Sequence, residues 1–144
     1  MLQVGSTMTT EAWDEFYKKN LTWNHAWGAA PANSIARRMV GILPTEPSFR
    51  RFRIAPQPGG LKHISYKQPS IRGPITVDLS TEYQQWDMTV SVPGNSKAEL
   101  WIPASFSKIT VDGREAASAR SDTFAMKEWK VIPLDPGNYS IQAK

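Results

Sequence analysis

Two short stretches near the start of the chain hold the residue types that could do chemistry: "TTEAWDEF" at 9–16 and "TWNHAWG" at 22–28. The first offers the carboxylates of Glu11 and Asp14 beside Trp13. The second offers an imidazole, His25, next to Asn24 and between Trp23 and Trp27. Thr, Glu, Trp and Asp together are the vocabulary of a sugar site: carboxylates move protons, and planar aromatics cover the apolar face of a ring. Each residue also has a plainer reading. Glu11 could be a capping or solvated carboxylate in a first helical turn. His25 could be an ordinary hydrogen-bonded imidazole, and Trp23 and Trp27, four apart, a helix-packing pair.

Composition removes several classes of chemistry. The 144 residues include no Cys, so disulfides, thiol nucleophiles and Cys-zinc sites are excluded. The only histidines are His25 and His63, and no HExxH or EF-hand spacing occurs, so neither a metal nor a cofactor is expected. The net charge of +4 is scattered rather than gathered into a basic stripe. Its densest cluster, Arg50, Arg51 and Arg53, reads as the solvated face of a strand whose Phe52 and Ile54 point inward, so no nucleic-acid partner is expected. No apolar run approaches the roughly 20 residues of a membrane span, so no membrane partner is expected either. His63 and Tyr66 fall on opposite faces of one strand and make a poor site. Asp78, Asp87 and Asp112 read as surface acids.

The elements that must position these residues change character near residue 45. Ile35, Met39, Ile42 and Leu43 recur at helical spacing, which predicts a helix over 31–41. Pro31 suits its first turn, Asn33 or Ser34 can cap it, and Gly41 and Pro44 mark its end. A weaker helix is predicted over 11–19, with acids first and Lys18 and Lys19 last. Residues 20–30 read as loop. From "RRFRIAP" onward the period is two. "LKHISYK", "PITVDLSTEY", "WDMTVSVP", "AELWIP", "KITVDG", "KEWKVIPL" and "YSIQAK" follow, separated by PGG, RGP, PGN, DG and DPGN turns. About eight short strands at this spacing predict an antiparallel β-sandwich over 46–144, preceded by a short α-helical segment. Residues 114–126 read as a long loop or a weak hairpin arm. Trp86, Trp101 and Trp129 lie on predicted strands and are most simply core.

Three stretches in order, "GSTMTTEAWD", "WNHAWGAAPAN" and "GILPTEPSFRRFRIAPQPGGL", resemble the C-terminal part of bacterial alpha-L-rhamnosidases. That family has a Thr-rich Trp-Glu-x-Trp-Asp segment, then an Asn-His segment followed by Gly. A Gly-Ile-x-Pro-x-x-Pro-Gly-Phe join then leads from a helical (α/α)6 barrel into a terminal sandwich. Aligned without a gap, Gly5, Glu11, Trp13 and Asp14 fall on the family's Gly, catalytic Glu, second Trp and Asp. Thr10 replaces the first Trp. A rival register puts Asp14 in the acid position. Ser48 stands where the family often has Gly, a difference expected to matter little.

The resemblance implies inverting hydrolysis of terminal alpha-L-rhamnosides, hence rhamnose-containing glycans as the intact enzyme's partners. Such an enzyme needs two carboxyl groups roughly 6.5–9.5 Å apart, one to protonate the leaving oxygen and one to activate water. Glu11 takes the base role. His25 and Asn24 bind sugar hydroxyls, and Trp13, Trp23 and Trp27 wall the sugar. Residues 1–45 then read as the end of the barrel and 46–144 as a supporting sandwich. The general acid is expected upstream, in a larger enzyme, so this stretch alone is expected to be inactive. Its helical segment, parted from a barrel, is expected to favour self-association. The competing expectation is a carbohydrate-binding sandwich module using Trp86, Trp101 or Trp129 as its platform.

Overall fold

A computed structural model describes residues 9–12, 19–22 and 25–144. The chain divides into two compact units, Met1–Ile35 and Ala36–Lys144. Among the described residues no helix is long and apolar enough to cross a membrane.

The larger unit is a sandwich of two sheets. One has the order β1 (Ile42–Pro44), β2 (Arg51–Ile54), β6 (Lys97–Pro103), β10 (Lys127–Leu134), β9 (Arg120–Phe124). The other has the order β3 (His63–Gln68), β4 (Ile75–Ser80), β5 (Trp86–Val92), β11 (Gly137–Ala143), β7 (Ile109–Val111), β8 (Arg114–Glu115). Period-two patterning sets the faces. On β5, Trp86, Met88, Val90 and Val92 are buried while Asp87, Thr89 and Ser91 turn outward. The same alternation puts Phe52, Ile54, Leu100, Ile102, Val77, Leu79 and Ile141 into one core between the sheets. Full burial of each such side chain contributes roughly 1.5–3 kcal/mol, which is what holds the layers together.

All eight expected strands form, in an antiparallel-rich sandwich. Three further short ones join them. β8 and β9 show that 114–126 contains a hairpin arm, with Lys127 paired to Phe124 and Val131 to Arg120. β1 lies just beyond the predicted helix and takes up Ile42 and Leu43, which share its apolar spacing. Gly41 has φ +80°, which stops the helix, and Ile42 then pairs with Ile54. One pairing departs from the antiparallel expectation. β2 runs parallel to β6, with Arg51 beside Lys97 and Phe52 beside Ala98.

In the smaller unit a 3-10 turn, Ala26–Ala29, leads into an α-helix, Ala30–Ser34. One π-type turn, Ile35–Met39, follows in the chain. The helical run therefore starts inside the stretch expected to be loop and stops short of residue 41. Pro31 sits in the first turn of the α-helix, as expected. Asn33 and Ser34 lie inside the helix rather than capping it, and Ala29 holds the cap position without a side-chain bond. The helix expected over 11–19 falls mostly outside the described residues.

Candidate functional site

Glu11 is the best-held side chain of the smaller unit among its described residues. Its side chain is 3% exposed. One oxygen, Oε2, accepts hydrogen bonds from the Thr22 backbone N–H and the Thr22 hydroxyl, both at 2.8 Å. The other, Oε1, lies 3.6 Å from His25 Nδ1. The His25 ring is 34% exposed and packs on Trp27, ring centroids 4.0 Å apart and planes tilted by 41°. Trp27 itself is 61% exposed. A buried, fixed carboxylate therefore adjoins an imidazole–indole pair that is open to solvent.

Local backbone contacts hold this arrangement. The Gly28 N–H donates to the His25 carbonyl at 2.9 Å, closing the turn that presents His25 and Trp27. The Thr9 hydroxyl donates to the Gly28 carbonyl. A Cβ on Gly28 would lie 2.2 Å from the Thr9 carbonyl oxygen, so the two segments approach as only glycine permits. Thr10 donates from its hydroxyl to the Ala12 carbonyl at 2.8 Å, shaping the bend that carries Glu11.

Of the residues singled out in the sequence, Glu11, His25 and Trp27 are brought together. Trp13, Trp23 and Asn24 lie outside the described residues. Thr22 was not anticipated. It supplies two donors to Glu11, but a threonine 11 positions away carries no sequence signal for that contact. Among the described residues no cluster of three His, Asp or Glu side chains could hold a metal.

The family model for the bacterial alpha-L-rhamnosidase C-terminal domain matches residues 41–117, more than half of the chain. The chain belongs to this family. It is similar to an alpha-L-rhamnosidase of Streptomyces avermitilis, 32% identical over 112 residues that take in 69% of this chain and 10% of that protein. It is also similar to one from Formosa agariphila, 26% identical over 151 residues, 97% of this chain and 16% of that protein. The crystal structure of the Streptomyces avermitilis enzyme complexed with L-rhamnose overlays 99% of this chain on 14% of its own, with a TM-score of 0.78 at 24% identity. The alpha-L-rhamnosidase of Dictyoglumus thermophilum gives 0.78 at 23% identity, over 100% of this chain and 17% of its own. These overlays show the fold. The chain spans less than a fifth of the length of each of these relatives.

Within the rhamnosidase C-terminal domain, the three strand tryptophans are buried: Trp86 8%, Trp101 6% and Trp129 1% exposed. Trp86 belongs to the core between the sheets. Trp101 and Trp129 form a second cluster with Ala55, Val131 and Phe124, on the opposite face of β6 and β10. Arg53 was expected on a solvated face but roofs this cluster instead. Its guanidinium carbon lies 3.9 Å from the Phe124 ring centre and 5.0 Å from that of Trp101. Its Nε is buried with no hydrogen-bond partner among the described residues. Burial, then the charge of Arg38, lowers its pKa. Beside it Arg120 forks onto Glu99 at 2.8 and 2.9 Å. Those bonds hold the Glu99 carboxyl below its ordinary range despite partial burial.

The other face-level expectations hold in the sandwich. His63 is exposed, while Tyr66 packs against the core. The acids are tied into the surface. Asp78 bonds His63 Nε2 at 3.0 Å, and Asp112 accepts the Ser140 N–H at 2.8 Å. Asp87 accepts from Gln85 at 2.7 Å and from Gln142 at 3.0 Å.

Proposed function

We propose that this chain acts as the C-terminal part of an inverting glycoside hydrolase that removes terminal alpha-L-rhamnosyl groups. Residues 1–45 would close one side of a helical-barrel active site, and 46–144 would be its non-catalytic support. The observation that carries this reading is Glu11: a side chain 3% exposed, its carboxylate fixed by Thr22 and facing His25, beside an exposed His25–Trp27 stack.

Glu11 then serves as the general base. Thr22 fixes one carboxylate oxygen. The other takes a proton from a water that attacks the anomeric carbon. His25 positions the carboxylate, and the open face of Trp27 offers an apolar surface to the sugar ring. The leaving oxygen needs a proton from a second carboxyl across the pocket. Among its described residues the smaller unit has no acid other than Glu11, and the acid is assigned to the larger part of the enzyme. Burial of Trp86, Trp101 and Trp129 argues against a sandwich that binds glycans on those rings.

The test is Glu11→Gln in the enzyme that carries these residues, assayed on p-nitrophenyl alpha-L-rhamnoside. kcat should fall about 10²–10⁴-fold with KM little changed, the range for loss of a general base. The unaltered 144-residue chain should show no turnover. Full activity of the variant, or rhamnoside hydrolysis by the chain alone, would overturn the reading.

A further inference from the structure

The parallel pairing of β2 and β6 starts both strands at the same end of the sheet, and those starts are basic. Arg51 stands beside Lys97 in the register, and Arg50 precedes it. Like charges side by side in a sheet are destabilising. They line a groove of about 500 Å³ together with Glu46, Asn95, Ser96 and Pro136, within the size range of small-molecule sites.

Three features make the groove more than a solvated patch. One carboxylate, Glu46, serves both arginines, bonding Arg50 Nε at 2.6 Å and lying 3.1 Å from Arg51 Nε. The outer nitrogens of both guanidiniums make no hydrogen bond among the described residues. Lys97 meets Asp135, at 3.2 Å, from the adjoining depression of about 230 Å³. Cations therefore still outnumber acids. Second, Ser96 is 2% exposed, yet its hydroxyl has no hydrogen-bond partner among the described residues. A buried unpaired hydroxyl costs free energy that a ligand atom could recover. Third, the wall is braced from outside. Arg72 donates to the Ser48 carbonyl at 3.0 Å and the Asn95 carbonyl at 2.9 Å, tying together the turns on either side.

We propose that this groove binds an anionic saccharide. Arg50, Arg51 and Lys97 hold its carboxylate or sulfate ester, and Ser96 and Asn95 bond neighbouring hydroxyls. The saccharide half of this inference rests on the glycosidase reading above. Binding is read on the chain without turnover, so its failure is distinguishable from failure of the Glu11 reading.

The experiment is calorimetric titration of the 144-residue chain with D-glucuronate, glucose 6-sulfate, D-glucose and inorganic sulfate. Both anionic sugars should bind at least about 10-fold more tightly than glucose or inorganic sulfate, and should weaken as salt rises. The double change Arg51→Gln with Lys97→Gln should reduce that affinity about 10-fold or more, and Ser96→Ala several-fold. Glu46→Gln releases both arginines and should tighten binding, a gain that a misfolded variant would not mimic. The proposal falls if neither anionic sugar binds, if inorganic sulfate binds as tightly and marks an adventitious ion only, or if the double variant binds like the wild type.

Discussion

Replacing Gly41 by alanine tests how closely β1 is held to β2. Gly41 has φ +80°, and a Cβ built there would lie 2.1 Å from the Ala55 carbonyl oxygen, 2.3 Å from its carbon and 2.7 Å from its nitrogen. All three are backbone atoms, so no side chain can swing aside. The obstructing residue also donates from its N–H to the Gly41 carbonyl at 3.2 Å. On either side stand Val40 at 0%, Ile42 at 2% and Ile54 at 0% exposure. To admit the methyl, β1 and β2 must separate by more than an ångström. Left-handed backbone costs alanine about 1–2 kcal/mol. Loss of the hydrogen bond adds about 1 kcal/mol, and loosening of the Ile42–Ile54 packing adds about as much again.

Gly41→Ala should therefore destabilise by about 3–4 kcal/mol. Gly113→Ala is the internal control. Gly113 has φ +75° but no heavy atom within 4 Å of its would-be Cβ, so it carries the dihedral cost without the collision. Its loss should stay near 1–2 kcal/mol. Urea unfolding of the two variants, read as midpoint shifts at constant slope, gives the comparison. Equal losses in the two variants would refute the argument, because the rigid approach of Ala55 would then be worth nothing.

Two other outcomes follow from local geometry. Ser48 has φ +58°, the left-handed region in which the family's glycine is at ease, so the substitution expected to matter little carries a cost. Ser48→Gly should raise the thermal midpoint by several degrees, about 1 kcal/mol, and the idea fails if the midpoint falls. Arg120 lowers the Glu99 carboxyl below its usual value of 4.5. A depressed folded pKa adds stability that is present above that value and lost as pH falls through the lowered one. Arg120→Gln should therefore cost stability at pH 7 and much less at pH 3. An equal cost at both pH values would count against the ion pair.

What could be read in the sequence was what alternation writes down. β2 to β7, β10 and β11 each place side chains in the core between the sheets, most plainly β5, which buries every second residue, so period and turn residues located them. What could not be read depended on partners elsewhere in the chain. β9, "RSDTF", has no apolar alternation and exists because β10 bonds it and Phe124 closes on Trp101, the rings 6.3 Å apart. Ile42 and Leu43 continue the helical spacing of Ile35 and Met39, so although Gly41 marked the helix end, the period could not show that the next three residues form a strand. Arg53 alternates as a surface residue does, yet its aliphatic stem and planar head cover a second aromatic cluster. At the candidate site the carboxylate and the imidazole were legible as types, but Thr22 as the holder of Glu11 was not.

The charge state of two sandwich carboxylates fits the proposal that the sandwich is a non-catalytic support. Inverting cleavage needs one carboxyl kept protonated near neutral pH, which requires burial or a nearby negative charge to raise its pKa. Where carboxyl titration in the sandwich departs from ordinary values, it goes the other way. Hydrogen bonds from His63 and Ser65 lower Asp78, and the Arg120 fork lowers Glu99. Both remain ionised at neutral pH, and each is engaged with a neighbour on the outer face of its sheet. Neither can give a proton to a leaving sugar oxygen. The interior offers no alternative, because its buried side chains are apolar apart from Ser96. Carboxylates kept charged and bonded in this way suit the proposed supporting role. Under the proposal that Glu11 is a general base, its proton donor is neither Asp78 nor Glu99.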